Sequence, residues 1–177
     1  GKWMKYFEES AMDGEKLLCR VENFIPFHDG LRNFICGESV FGILKGLMEE
    51  EAVLFKEKIN LKLPGGAGFG AHQDAPAFTS FGQKYHITMM VAVDDATQEN
   101  GCMEFSDAVD VYHTLPQAAG GTIAEEVEAE LPWRPLEARA GDLVFFDSYI
   151  PHRSPGNTSD KSRRAMYITY NRKSEGE

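Results

Sequence analysis

Ala52 to Asp74 reads AVLFKEKINLKLPGGAGFGAHQD, and this stretch decides the fold. Ile59, Leu61 and Leu63 alternate with Lys58, Asn60 and Lys62. That period of two marks a β-strand, because successive side chains leave its opposite faces. Pro64-Gly65-Gly66-Ala67-Gly68 then breaks the strand. The run Gly65 to Gly70 lacks the Lys-Ser/Thr ending of a phosphate loop and precedes a strand, so it reads as a turn that lets backbone approach closely. Downstream, His86 to Val93, Cys102 to Phe105, Leu143 to Phe146 and Ala165 to Tyr170 are further short strands, separated by turn-rich segments such as Asp94 to Gly101. Residues 116–132, rich in Gly, Ala and Glu, read as an exposed connection with a short acidic helix. Upstream, Gly30 to Lys56 carries helical spacing in Leu31, Phe34, Ile35, Val40, Phe41, Leu44, Leu47 and Met48, with Ser39 as a cap. Residues 2–20 read as loop or short helix. Helices first and short antiparallel strands afterwards predict a mainly β chain with flanking helices, a double-sheet barrel of the jelly-roll class. The expected division is a single domain over 1–177, with a helical or irregular flank at 1–51 and the barrel at 52–172.

The 177 residues hold 28 Asp and Glu against 18 Lys and Arg, a net charge of −10. A nucleic-acid partner needs a basic stripe to displace counterions, so none is expected. The longest apolar run, Met89 to Val93, is far short of the ~20 residues of a membrane span, so no membrane partner is expected either. Cys19, Cys36 and Cys102 are odd in number and widely spaced, which fits neither a disulfide framework nor a zinc knuckle and makes the cytoplasm the expected setting. The chain opens on Gly1 with no signal peptide, and a trimmed N-terminal region is the expectation.

The chemistry concentrates in His72-Gln73-Asp74. Residues two apart on a strand share a face, so His72 and Asp74 can hold one ion together. His152 follows 78 residues after Asp74, directly after a strand and a turn, and Arg163 follows 11 residues after His152. Two imidazoles and one carboxylate make the open site of non-haem Fe(II) oxygenases, which leaves coordination positions for a chelating cosubstrate and dioxygen. An Arg deeper in the barrel suits a two-pronged grip on a carboxylate.

With these spacings the chain resembles the phytanoyl-CoA dioxygenase family of Fe(II)/2-oxoglutarate-dependent oxygenases. Asp95 to Cys102, Ala140 to Phe146, His152-Arg153-Ser154 and Tyr170-Asn171 extend the resemblance over residues 52–172. The resemblance implies a double-stranded β-helix fold, Fe(II) on His72, Asp74 and His152, and 2-oxoglutarate and dioxygen as cosubstrates. It implies that Arg163 binds the distal carboxylate with help from Ser154. Asn60 would contact the cosubstrate from the side, and Phe78 would lie over the pocket. Asp74 stands where a halogenating subclass has a small residue, so hydroxylation of a C–H bond is implied. Members often continue the Asn-Gly-Cys segment into Pro-Gly-Ser-His, whereas Met103 to Asp107 differs here. Hydroxylases of small polar molecules, such as aminoalkylphosphonates or compatible solutes, resemble the chain more than acyl-CoA enzymes do. Lys58, Gln73 and His86 are the candidate substrate contacts.

His28 and His113 read as structural or solvent-facing. Lys62 reads as a surface partner of the acidic stretch Glu125 to Glu130, and Arg164 as a solvated residue on the face opposite Arg163. Two rival readings remain at this point. A cupin-like metal enzyme without 2-oxoglutarate gives no reason for Arg163 eleven residues after His152. A non-enzymatic jelly-roll binding module predicts no metal.

Overall fold

The computed structural model describes residues 3–176. Gly1 and Lys2, at the start of the expected flank, lie outside the described residues, as does Glu177. Among the described residues ten strands form two antiparallel sheets. They are β1 (Met4–Glu9), β2 (Lys16–Glu22), β3 (Ala52–Lys62), β4 (Phe69–His72), β5 (His86–Ala92), β6 (Met103–Phe105), β7 (Arg134–Leu136), β8 (Leu143–Asp147), β9 (His152–Ser154) and β10 (Arg163–Arg172). The larger sheet runs β1-β2-β3-β10-β5-β8 and the smaller β4-β9-β6-β7. Helices α1 (Asp29–Ile35), α2 (Glu38–Met48), α3 (Ala75–Phe78) and α4 (Glu125–Glu128) fill connections. No helix among them is long and apolar enough to cross a membrane. The arrangement is the jelly roll that the strand pattern predicts.

Strands β5 and β10 are buried on both faces, which is why they read as nearly continuous apolar runs. Their outward side chains, Ile87, Met89, Val91, Met166, Ile168 and Tyr170, pack under Ile35 of α1 and Val40, Leu44 and Met48 of α2. Each fully buried side chain of that stripe contributes about 1.5–3 kcal/mol. The Tyr170 hydroxyl donates to the Ile35 carbonyl at 2.8 Å and locks α1 to the sheet. Their inward side chains, including Met90, Ala92, Ala165 and Tyr167, meet Met103, Phe105 and Leu136 of the smaller sheet. The inner face of β10 and its neighbours also carries Lys58, Asn60, Lys62, Thr88, Thr169 and Arg163, a polar lining inside an apolar shell.

The expected flank is corrected in two respects. Its first part is a hairpin, β1 with β2, that extends the larger sheet through β2 and β3. β1 is an edge strand with little burial, so it shows no core-facing alternation. Cross-strand contacts such as Lys16 over Phe7 (4.5 Å) and Arg20 over Tyr6 (4.3 Å) accompany its ladder. The helical spacing also ends early. Gly37, not Ser39, is the N-cap of α2, and the helix stops at Met48 with Glu49 left-handed at φ 57°. The strand begins at Ala52, so the pattern from there to Lys56 belongs to β3.

Candidate active site

His72 ends β4, His152 opens β9, and the two are directly paired across the smaller sheet. Their ring centroids are 4.2 Å apart. The two-residue spacing puts Asp74 on one strand with His72, and the structure corrects this: β4 ends at His72. The chain leaves β4 at Gln73, and Asp74 is the N-cap of α3 with helical backbone at φ −73° and ψ −30°. A carboxylate at that position ordinarily accepts a first-turn N–H. The Asp74 side chain makes no such bond. It turns to the histidines, with its oxygens 3.9 Å from His72 Nε2 and 4.0 Å from His152 Nε2. One ligand atom from each of the three lies within 4.8 Å of the others, and the carboxylate–imidazole separations of 3.9 and 4.0 Å fall within the ~4.2 Å that two bonds of about 2.1 Å can span.

The backbone prepares the imidazoles for a metal. His72 Nδ1 lies 2.7 Å from the Gly70 carbonyl, and His152 Nδ1 lies 3.1 Å from the Ile150 carbonyl. A carbonyl only accepts, so each Nδ1 carries a proton, the arrangement that leaves Nε2 as the nitrogen facing a metal. Burial pushes His152 down to about 4, against the pull of Asp74, so this ring is neutral at physiological pH. Burial alone would raise Asp74, but His152, Lys58, His72 and Lys56 together hold the carboxylate below its ordinary value.

The three residues open on a narrow cavity between the sheets, which Lys58, Asn60, Thr88, Tyr167 and Thr169 also line. The β3–β10 register sets Lys58 opposite Tyr167, Asn60 opposite Ala165 and Lys62 opposite Arg163, all on the inner face. The Lys58 ammonium lies 5.4 Å from the Tyr167 ring centre. Burial pushes its pKa down and Asp74 opposes the shift. Asn60 Oδ1 is buried with no hydrogen-bond partner among the described residues.

Arg163 and Ser154 are buried and stand outside this lining. Arg163 donates from Nη1 to the Tyr167 hydroxyl at 3.1 Å and from Nη2 to the Gly101 carbonyl at 2.8 Å, and its Nε has no partner. Ser154 faces Lys62, whose ammonium is 2.7 Å from its Oγ. Lys62 is therefore not a surface residue. It points inward at period two with Lys58 and Asn60 and is 2% exposed. Arg164 takes the outward face, where it grips Asp94 through Nε (2.8 Å) and Nη2 (2.7 Å).

Three expected contacts are corrected. Gln73 spends its amide on backbone, donating to the His113 and Tyr149 carbonyls and accepting the Leu115 N–H, so it fastens the 113–115 loop and does not line the cavity between the sheets. Phe78 is buried against Phe55 and His86, with ring centres at 5.3 and 5.2 Å, and does not line the cavity. His86 is wholly buried in the same aromatic packing, and burial lowers its pKa. His28 caps α1, its Nδ1 accepting the Leu31 N–H at 3.1 Å.

The sequence reading missed Tyr167, Thr88, Thr169 and Gly101. Tyr167 and Thr169 were within reach, since they continue the two-residue step from Arg163. Gly101 carries φ +77°, and a Cβ there would collide with the Pro155 carbonyl, so only glycine lets this turn approach β9. Gly68 packs likewise, since a Cβ would come within 2.7 Å of the Ser154 carbonyl.

Two imidazoles and one carboxylate, opening on a polar cavity inside a jelly roll, are the donor set of the two-histidine, one-carboxylate oxygenase class. The chain belongs to the phytanoyl-CoA dioxygenase family, which it matches over residues 24–165. It is 63% identical over 177 residues to a 2-aminoethylphosphonate dioxygenase of an uncultured bacterium, covering 100% of this chain and 68% of the relative. It is 41% identical over 176 residues to a methylphosphonate hydroxylase of Gimesia maris, covering 99% of this chain and 66% of that relative. The chain thus spans about two thirds of the length of these relatives. A crystal structure of EctD from S. alaskensis, with 2-oxoglutarate and 5-hydroxyectoine, superposes with a TM-score of 0.80 at 19% identity. The match covers 89% of this chain and 57% of that one, a likeness of fold.

Proposed function

We propose that the chain is the oxygenase core of an Fe(II)- and 2-oxoglutarate-dependent hydroxylase that acts on a small phosphonate. The observation that carries this reading is the His72–Asp74–His152 group on a cavity that Lys58 also lines, with Lys62 and Arg163 buried on the same inner face of the larger sheet. Its residues fit both absent groups. Two imidazole nitrogens and an anionic carboxylate suit Fe(II), and the buried, partnerless Asn60 Oδ1 and Arg163 Nε are polar atoms suited to a polar cosubstrate. When bound, Fe(II) with 2-oxoglutarate and dioxygen supplies the oxidising power for C–H hydroxylation, releasing succinate and carbon dioxide.

The chain's own residues bind, orient and exclude water. His72, Asp74 and His152 hold the metal, with the Gly70 and Ile150 carbonyls keeping both rings in register. Arg163 receives the distal carboxylate of the dicarboxylate, with the Tyr167 hydroxyl and Ser154 beside it. Asn60 meets the same molecule from the neighbouring strand. Lys58 lines the cavity and acts electrostatically on Asp74 and His152, and it is the residue we assign to an anionic substrate. Phe146 and Met103, which also line the cavity, keep the reaction zone dry. Phosphonates are favoured over compatible solutes because the relatives at 63% and 41% identity are named for phosphonates. A cytoplasmic setting belongs to the same reading, supported by three free cysteines.

The test supplies Fe(II), 2-oxoglutarate and air with 2-aminoethylphosphonate, methylphosphonate or ectoine, and measures succinate and product mass. The expected result is phosphonate-dependent succinate release, matched by a product one oxygen atom heavier. Succinate release that no phosphonate stimulates, with a compatible solute hydroxylated instead, overturns the substrate assignment.

A further inference from the structure

Lys62 and Arg163 are directly opposed in the β3–β10 register, on the same inner face, and each is 2% exposed. Like charges directly opposite one another destabilise a sheet, and a buried cation without an anion costs more still. Every acceptor the pair has is neutral. Lys62 donates to Ser154 Oγ at 2.7 Å, to the Pro155 carbonyl and to the Gly101 carbonyl at 3.4 Å. Arg163 uses the same Gly101 carbonyl, at 2.8 Å, and the Tyr167 hydroxyl. Among the described residues neither cation makes an ion pair. The charged and titratable groups facing Lys62 are Arg163 on β10, Glu8 on β1 and Cys102 at the start of β6. Glu8 accepts the Ala67 N–H at 3.3 Å, on the outer side of the turn. The fold thus holds two adjacent basic groups without an ion pair among the described residues, and an anionic ligand would supply the countercharge that keeps both protonated.

An ammonium has no lone pair and only donates. Ser154 Oγ accepts from Lys62, so its own O–H hydrogen must point elsewhere. We propose that Lys62 is a positioning residue of the dicarboxylate site: it fixes Ser154 as a donor beside Arg163 and supplies a second cation that the distal carboxylate neutralises. This inference rests on the 2-oxoglutarate reading above and goes beyond it, since Lys62 acts through Ser154 without lining the open cavity. Burial and the neighbouring Arg163 push Lys62 down to about 7, so an arriving carboxylate also draws a proton onto it.

The experiment titrates 2-oxoglutarate into the anaerobic Fe(II)-loaded protein, followed by the metal-to-ligand absorption band, for wild type, Lys62→Met, Lys62→Arg, Ser154→Ala and the Lys62→Met/Ser154→Ala double variant. Proton uptake is read by calorimetry at pH 8 in two buffers of different ionisation enthalpy. Lys62→Met should weaken binding about 10- to 100-fold, with iron content unchanged. Ser154→Ala should cost much less in the Lys62→Met background than in wild type, because the serine has lost its orienting partner. Lys62→Arg should recover part of the affinity. Wild type should take up close to one proton per 2-oxoglutarate, and Lys62→Met none. If Lys62→Met fails to fold, the wild-type proton count and Lys62→Arg still decide. Wild-type affinity in Lys62→Met overturns the inference, as do fully additive losses or the absence of proton uptake in wild type. Wild-type protein that loads iron yet shows no band with 2-oxoglutarate overturns the cosubstrate reading itself, a different result.

Discussion

Arg163→Ala removes a guanidinium that is 2% exposed and makes two hydrogen bonds in the folded chain, to Tyr167 Oη at 3.1 Å and the Gly101 carbonyl at 2.8 Å. Its effect on folding is the balance of opposing contributions. The Tyr167 hydroxyl and Gly101 carbonyl lose a donor, which costs about 1–3 kcal/mol for each group left unsatisfied. Lys62 loses the like charge directly across the ladder, which returns part of that. The net change should stay near 1–2 kcal/mol, or about 2–8 °C in Tm for a chain of this size. The effect on the cosubstrate is larger, because charged hydrogen bonds are worth about 1.5–3 kcal/mol each. Losing the pair should cost roughly 2–4 kcal/mol, about 30- to 1000-fold in Kd for 2-oxoglutarate. Arg163→Lys keeps the charge without the fork and should fall between. Arg164→Ala, on the outer face with Asp94, is the control and should bind 2-oxoglutarate as wild type does. The assay is the anaerobic titration of Fe(II)-loaded protein. An unchanged Kd in Arg163→Ala would refute the dicarboxylate assignment and leave the cupin-like alternative standing.

Further expectations concern the metal, pH and the turn at Gly101. Asp74→Ala removes the anionic ligand, and metal analysis should find stoichiometric iron lost while circular dichroism shows the barrel retained; full iron occupancy would contradict the ligand assignment. In metal-free protein, burial holds His152 at about 4. The unfolded chain, with a histidine near 6.5, then binds more protons between about pH 4 and 6.5, so stability falls as pH drops through that window, by on the order of 3 kcal/mol. Urea midpoints of chelator-treated protein at pH 7 and 4.5 should show this, and His152→Gln should flatten it; equal slopes in both proteins would exclude His152 as the source. Gly101→Ala forces an alanine to φ +77° with the Gly156 carbonyl 3.1 Å from its Cβ. It should cost roughly 2–4 kcal/mol, a Tm fall of about 5–15 °C, and an unchanged Tm would show that the turn tolerates a side chain.

What was legible in the sequence depended on how local its physics is. Period two in Lys58 to Leu63 announced β3, and the doubly buried β5 and β10 announced themselves as apolar runs. Pairing of His72 with His152 is a register across β4 and β9, which spacing suggested and only the assembled sheet displays. The β1–β2 hairpin was invisible because an edge ladder needs backbone bonds more than apolar alternation. Lys62 was misread because a lysine ordinarily faces water, and its partners are carbonyls that leave no mark in sequence. Gln73 looked functional because it lies between two ligands, yet the strand ends there and its side chain turns to the 113–115 loop.

The most direct test of the account is a crystal structure of the protein grown anaerobically with Fe(II) and 2-oxoglutarate, with an anomalous map recorded at the iron edge. The account predicts one iron peak bonded to His72 Nε2, His152 Nε2 and an Asp74 carboxylate oxygen, with 2-oxoglutarate chelating it and its distal carboxylate against Arg163. An iron peak elsewhere, or an iron-loaded triad whose 2-oxoglutarate is absent or turned away from Arg163, would contradict it.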